Sequence, residues 1–310
     1  MKSKKIYMKK LSLVVMMMVL IIAIAANLKV QPVQETIPQP IIRLFLHQSG
    51  QVIELEIEKY VAGVVAAEMP ASFELEALKA QAVCARTYAC KKILDRKPYP
   101  LNANLSDDIN CCQAYVSWEG FQELHPARYE ELKEKIQSAV SATRGELISY
   151  KDLPIDALYH STCGGYTESA AAAWGSDIPY LQSVKCNYCS ESDYYESTQV
   201  ISLGMLQDKL TGNDSAHIEI SQKSDSGRAR ELRVNDQLIS AGSFRQLFNL
   251  PSTNWELKKE SKELIINSRG YGHGVGLCQY GANGMAQQGK GYRQILSHYY
   301  KNIRLEKLNY

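Results

Sequence analysis

Between Gly270 and Gly284 the chain reads GYGHGVGLCQYGANG, six glycines in fifteen residues, with an expected strand, Leu264–Asn267, ahead of it and an expected helix behind. This stretch constrains the fold most. A backbone without Cβ atoms packs where side chains would hold neighbours away. It reads either as a tight turn under packed neighbours or as a groove floor where His273, Gln279 and Tyr280 meet a ligand. It is not a nucleotide loop, because the glycines miss the G-x-G-x-x-G register and no lysine with Ser or Thr follows.

The opposite end of the chain fixes the compartment. Five lysines and no acid occupy residues 1–10, and Leu11–Ala26 (LSLVVMMMVLIIAIAA) is almost wholly apolar. A spanning helix wants about 20 apolar residues, so this one must borrow Leu28 and Val30 across Asn27 and Lys29. Ala23-Ile24-Ala25 also resembles a signal-peptidase site. We expect a membrane anchor over residues 11–30, with a cleaved signal peptide as the alternative. Either way the lysine-rich tail stays inside and the chain beyond about residue 30 lies outside, in a single-pass arrangement at the cell membrane. Residues 31–40 (QPVQETIPQP) read as a linker. The formal charge is +2 for the whole chain and −3 once the five lysines are set aside. That balance excludes a nucleic-acid binder.

The exported part, residues 41–310, is long enough for one large or two small cores. Ile41–Leu46 and Val52–Ile57 flank the turn Gln48-Ser49-Gly50 as a hairpin with one wet face. Ile57–Glu68 reads as a helix stopped by Pro70. Ser72 is placed to cap a second helix running to about Leu94, with Glu74 and Glu76 in its first turn and Leu78, Ala82, Ala85 and Ala89 on one apolar face. Tyr129–Ala142 is a further amphipathic helix, and Leu147–Tyr159 is extended around Pro154. Short alternating runs over Ile218–Ile239 suggest a strand-rich excursion, a subdomain at about residues 200–260. Helices and strands alternate without βαβ order, so the expected class is α+β: mixed helices and antiparallel strands around one groove.

Besides the glycine stretch, two clusters could carry chemistry. Glu68 stands among Val64, Val65, Ala67 and Met69, where lost hydration would raise its pKa and keep a proton available. A glycosidase general acid needs that property. The alternative is a wet helix end paired with Lys79 or Arg86. His160-Ser161-Thr162-Cys163 precedes Cys186-x-x-Cys189 by about twenty residues, and three sulfurs with an imidazole could hold structural zinc. A disulfide among Cys163, Cys186 and Cys189, leaving one thiol over, or free buried thiols are the alternatives. A cysteine protease on Cys163 lacks a positioned base, and a zinc peptidase lacks an H-E-x-x-H helix.

Four stretches in order resemble the stage II sporulation protein D family and its amidase-enhancer relatives: YVAGVVAAEMPASFELEALKAQAVCARTYA from Tyr60, HSTCGGYTESAAAAWGSDIPYLQSV from His160, ISAGSFRQLFNLPST from Ile239, and GYGHGVGLCQYGANGMAQQGKGYRQILSHYY from Gly270. The resemblance covers about residues 41–307. It implies a membrane-anchored lytic transglycosylase that cuts peptidoglycan glycan strands to 1,6-anhydro-MurNAc ends during forespore engulfment, with Glu68 catalytic. His160, Ser161, Thr162, His273, Gln279 and Tyr280 would then line the substrate cleft. No cofactor is required for that chemistry. It further implies a partner cell-wall amidase and a membrane scaffold protein. A non-catalytic, peptidoglycan-binding enhancer of an amidase is the competing reading. The chain departs from clostridial relatives in LSDDINCCQAY, Leu105–Tyr115, where Ser106 replaces the first cysteine of a zinc loop and Cys111 stands where histidine is common. The group around Cys163 is therefore the better metal candidate.

Overall fold

The computed structural model describes residues 38–211 and 217–310. The lysine-rich tail, the apolar run expected to be an anchor, and most of the linker lie outside the described residues. Within the described residues no helix is long and apolar enough to cross a membrane. Residues 39–310 form one compact unit with two hydrophobic cores.

The hairpin forms as expected: β1 (Ile41–Leu46) pairs antiparallel with β2 (Gln51–Glu56). The second strand ends where α1 (Ile57–Glu68) begins. Tyr60, Val61, Val64 and Val65 are fully buried on α1, each apolar side chain contributing about 1.5–3 kcal/mol relative to exposure. Met69 leaves the helix in extended geometry ahead of Pro70, as the proline demands.

The next helix starts later than its proposed cap. The Phe73 N–H donates to the Pro70 carbonyl in a turn, so helical geometry begins only at Leu75, with Glu74 as N-cap. Ser72 lies within that turn, where its carbonyl accepts from Lys135 Nζ. The helix α2 (Leu75–Leu94) is buried on more than its Leu78–Ala89 face: Ala77, Ala80, Gln81, Val83, Cys84 and Arg86 are also covered. It is the central rod of the larger core. Around it pack α1, α4 (Tyr129–Ala142, after the short α3, Trp118–Leu124), β4 (Glu146–Tyr150), α8 (Gln279–Gln287) and α9 (Tyr292–Tyr299). Its buried Arg86 makes a two-pronged contact with Glu58 of α1, at 2.9 Å and 2.6 Å.

The sheets are small. β3 (Leu105–Ser106) adds to β1 in parallel, and β14 (Arg304–Lys307), β4 and β5 (Leu153–Pro154) form an antiparallel trio. β6 (Tyr159–His160) runs parallel to β13 (Leu277–Cys278), so the expected antiparallel strands are joined by two short parallel pairings. The smaller core lies in the strand-rich part. There β7 (Glu196–Ser202), β11 (Trp255–Glu260) and β12 (Glu263–Arg269) make one sheet, and β8 (Ile218–Lys223), β9 (Ala229–Val234) and β10 (Gln237–Ser240) another. Trp255, Phe244 of α7 (Ala241–Leu247), Leu232 and Ile266 are its centre. The other short helices are α5 (Ala170–Trp174) and α6 (Leu203–Leu206).

Candidate active site

The parallel β6–β13 pair brings the His160 cluster and the glycine stretch together, with His160 opposite Cys278. The glycine stretch makes this approach possible. At Gly276, with φ +76°, an added Cβ would sit 2.0 Å from the Leu158 carbonyl oxygen, and that same oxygen accepts from the Leu277 N–H at 3.0 Å. The glycines thus turn tightly under packed neighbours, and Gly272 of the turn they build lines a cleft.

The cleft measures about 460 Å³ and brings Glu68 together with His160, Ser161, Gly272, His273 and Gln279. Tyr88, Ile109, Cys112, Gln113, Leu158, Tyr159 and Tyr271 complete its lining. Two larger hollows, of about 680 and 750 Å³, lie against the strand-rich part. The second of them shares His273 with the Glu68 cleft, and neither contains Glu68.

Glu68 ends α1 with its carboxyl half-buried. Its Oε1 accepts the Ala114 N–H at 2.7 Å, and Gln279 Nε2 donates to its backbone carbonyl at 2.9 Å. Burial pushes the carboxyl above its usual range, against the Ala114 N–H and the Tyr159 hydroxyl, which pull it down. The two basic residues offered as alternative partners are engaged elsewhere, Lys79 with Glu76 and Arg86 with Glu58. Glu68 is the one carboxylate among the described residues lining the cleft.

Both histidines are held neutral. His160 is buried, and its Nδ1 lies 3.1 Å from the Val275 carbonyl, leaving Nε2 with no partner among the described residues. Burial, then His273 and Arg228, hold its pKa well below the ordinary value. His273 Nδ1 accepts the Val275 N–H at 3.0 Å. Its pKa is pushed down to about 4 by burial and by Arg245 and Arg228. The two rings lie 5.7 Å apart.

The remaining expected site residues divide. Ser161 lines the cleft. Gln279 also lines it, but it is buried and its amide nitrogen is engaged by Glu68 and by Gln81 Oε1 at 3.3 Å, so it fixes the end of α1 against α8. Thr162 is not a lining residue: its hydroxyl is fully buried and hydrogen-bonded to Ser192 at 2.6 Å. Tyr280 also lies outside the cleft lining, its ring packed edge-on against Phe73 at 4.9 Å.

Sequence reasoning missed Tyr159, Gln113 and the Ala114 N–H. Gln113 Nε2 donates to the Tyr159 hydroxyl at 2.8 Å, which in turn reaches Glu68. The available signal was position: Tyr159 directly precedes His160, and Gln113-Ala114 is the centre of C-Q-A-Y. Exposed aromatics pack against two lining residues, and one of them, Trp174, lines the second larger hollow. Tyr194 packs on Tyr271 at 4.6 Å and Trp174 on His273 at 5.5 Å.

The sulfur cluster differs from expectation in one member. Cys163, Cys186 and Cys189 do converge, but the fourth partner is Cys278, not the His160 imidazole. In the loop Leu105–Tyr115, Cys111 and Cys112 join no comparable group among the described residues.

The family model for the Stage II sporulation protein, SpoIID, matches residues 46–150. The chain is 36% identical to stage II sporulation protein D of Bacillus amyloliquefaciens over 261 residues, covering 83% of this chain and 76% of the relative. Against stage II sporulation protein D of Bacillus subtilis it is 34% identical over 287 residues, covering 91% and 82%. It is also similar to the amidase enhancer of Bacillus subtilis, at 28% over 302 residues, covering 78% of this chain and 40% of that protein. With that identity and coverage, the chain belongs to the stage II sporulation protein D family.

Proposed function

We propose that the protein is a sporulation lytic transglycosylase that cuts the MurNAc–GlcNAc bond of peptidoglycan glycan strands. The observation that carries this reading is Glu68: a carboxyl raised by burial and, among the described residues, the one acid lining its cleft. An ordinary glycosidase needs two carboxylates, about 5–5.5 Å apart to retain or about 6.5–9.5 Å to invert. With one, the same group has to serve twice.

Protonated Glu68 donates its proton to the glycosidic oxygen as the bond to C1 breaks and oxocarbenium character develops. The resulting carboxylate then takes the proton of the C6 hydroxyl while that oxygen bonds to C1. A 1,6-anhydro ring closes without water, and Glu68 returns to its starting state. The Ala114 N–H holds one carboxylate oxygen through both steps. Neutral His160 and His273 add no positive charge beside the developing cation. Exposed Tyr271 in the cleft lining, and exposed Trp174 packed on His273, offer flat apolar faces on which sugar rings can lie.

In this reading the chain is held at the outer face of the cell membrane by residues 11–30, works on glycan from which a partner amidase has removed stem peptides, and is kept in place by a membrane scaffold. Wild-type protein incubated with denuded glycan strands should release 1,6-anhydro-ended fragments, and Glu68→Gln should not. The similarity to an amidase enhancer supports a second reading, in which the chain stimulates a separate amidase and cuts nothing. Undiminished stimulation by Glu68→Gln, with no anhydro product from wild type, selects it.

A further inference from the structure

The proposed chemistry leaves four buried sulfurs unused. Cys163 sits in the turn after β6, Cys186 and Cys189 in the strap that follows α5, and Cys278 at the end of β13, where it caps α8. Their Sγ atoms all lie within 4.8 Å of one another, with Cys163 and Cys189 at 3.4 Å. Zinc–sulfur bonds of about 2.3 Å at tetrahedral angles put sulfurs roughly 3.8 Å apart. Disulfides would join the sulfurs as two pairs and give no reason for all four to share a centre. We propose that Cys163, Cys186, Cys189 and Cys278 bind one zinc ion as a closed tetrahedral site that fixes the wall of the Glu68 cleft.

Polar groups surround two of the sulfurs. The Cys163 and Gly281 N–H groups both donate to Cys278 Sγ at 3.3 Å, and the Tyr299 hydroxyl lies 3.2 Å from Cys186 Sγ. Such outer contacts orient metal ligands. Gly281 leaves the room: a Cβ there would lie 2.6 Å from Cys186 Sγ and 3.2 Å from Cys278 Sγ. A fully buried guanidinium stands alongside. Arg228 Nη2 donates to the Cys163 carbonyl at 2.6 Å, while its Nε and Nη1 have no partner among the described residues. A zinc tetrathiolate carries a net charge of −2, which a neighbouring buried cation offsets.

Binding exchanges the four thiol protons for the ion, with no change of oxidation state. The site joins the turn carrying His160 and Ser161 to the strand end carrying Gln279, so its loss would loosen the cleft without removing any reacting group.

The test is metal content of the full chain, purified in detergent without added metal, with cysteine alkylation read by mass. We expect one zinc per chain, and four thiols that become alkylable only after chelation. Cys189→Ser and Cys278→Ser should drop zinc to near zero, while the Cys111→Ser, Cys112→Ser double variant and Glu68→Gln keep it. If the cluster variants fail to fold, cobalt exchanged into wild type should give the charge-transfer and d–d bands of tetrahedral thiolate coordination. A zinc-free chain with these four sulfurs in disulfides, zinc-free chain fully alkylated before chelation, or zinc lost only from the Cys111/Cys112 variant overturns the site. These readouts do not depend on activity, so the site and the transglycosylase reading stand or fall separately.

Discussion

Replacing Glu68 by Gln separates chemistry from architecture. The amide keeps an oxygen for the Ala114 N–H, and the backbone carbonyl still accepts from Gln279. What disappears is the transferable proton. One general acid–base step contributes about 10²–10⁴-fold, and because the same carboxyl performs both transfers, the loss should be at least about 10²-fold, or roughly 2.7 kcal/mol of barrier. Stability should move the other way. Glu68 has a folded pKa raised above the unfolded value, so the proton's contribution to stability is fully present below the usual carboxylate range and is lost as pH rises through the folded pKa. Above that point the native state bears an ionised, half-buried carboxylate at about 1.4 kcal/mol per unit of displacement. Urea unfolding of both proteins across pH should therefore find the variant more stable in mild alkali, with the advantage vanishing in acid. A variant that keeps near-wild-type turnover, or whose stability falls relative to wild type as pH rises, refutes the reasoning.

Other substitutions test separate links. Tyr159→Phe removes a hydroxyl that lowers the Glu68 pKa, so the alkaline limb of kcat/KM against pH should move upward; a fixed or lowered limb contradicts the contact. Gly276→Ala forces a Cβ into the Leu158 carbonyl at a positive φ and should cost roughly 3 kcal/mol or more in denaturant unfolding, whereas a change within about 0.5 kcal/mol would mean the β6–β13 approach is not tight. Arg86→Met strands Glu58 in the core and should cost about 3–5 kcal/mol. Burial works to raise the Glu58 carboxyl, but Arg86 and the Tyr310 hydroxyl hold it below its usual value. Its contribution is therefore present above the ordinary carboxylate range and lost as pH falls through the lower folded pKa. Acid melts should accordingly affect wild type more steeply than the variant.

Much of this architecture is legible in local sequence. Pro70 marks the end of α1, the alternation of Ile53, Leu55 and Ile57 marks the hairpin, and the apolar neighbours of Glu68 foretell the direction of its pKa. Other features depend on contacts no local pattern encodes. The Ala114 N–H reaches Glu68 across 46 residues, and Cys278 completes the sulfur group only because β13 lies beside β6. A lone cysteine among glycines carries no ligand spacing, so His160 looked the better fourth partner. Thr162 shares a motif with Ser161, yet its hydroxyl turns inward to Ser192; sequence gives the neighbourhood but not which side of the turn faces the cleft. Ser72 fails as a cap because the Pro70 turn moves the N-cap two residues on, to Glu74.

The most direct test of the single-carboxyl account is the mass of the glycan ends that the purified chain releases from peptide-free strands. Glu68 acting twice predicts muramic acid ends lighter than a reducing sugar by one water, absent with Glu68→Gln. Reducing ends, formed by attack of water and accompanied by no anhydro product, would contradict it.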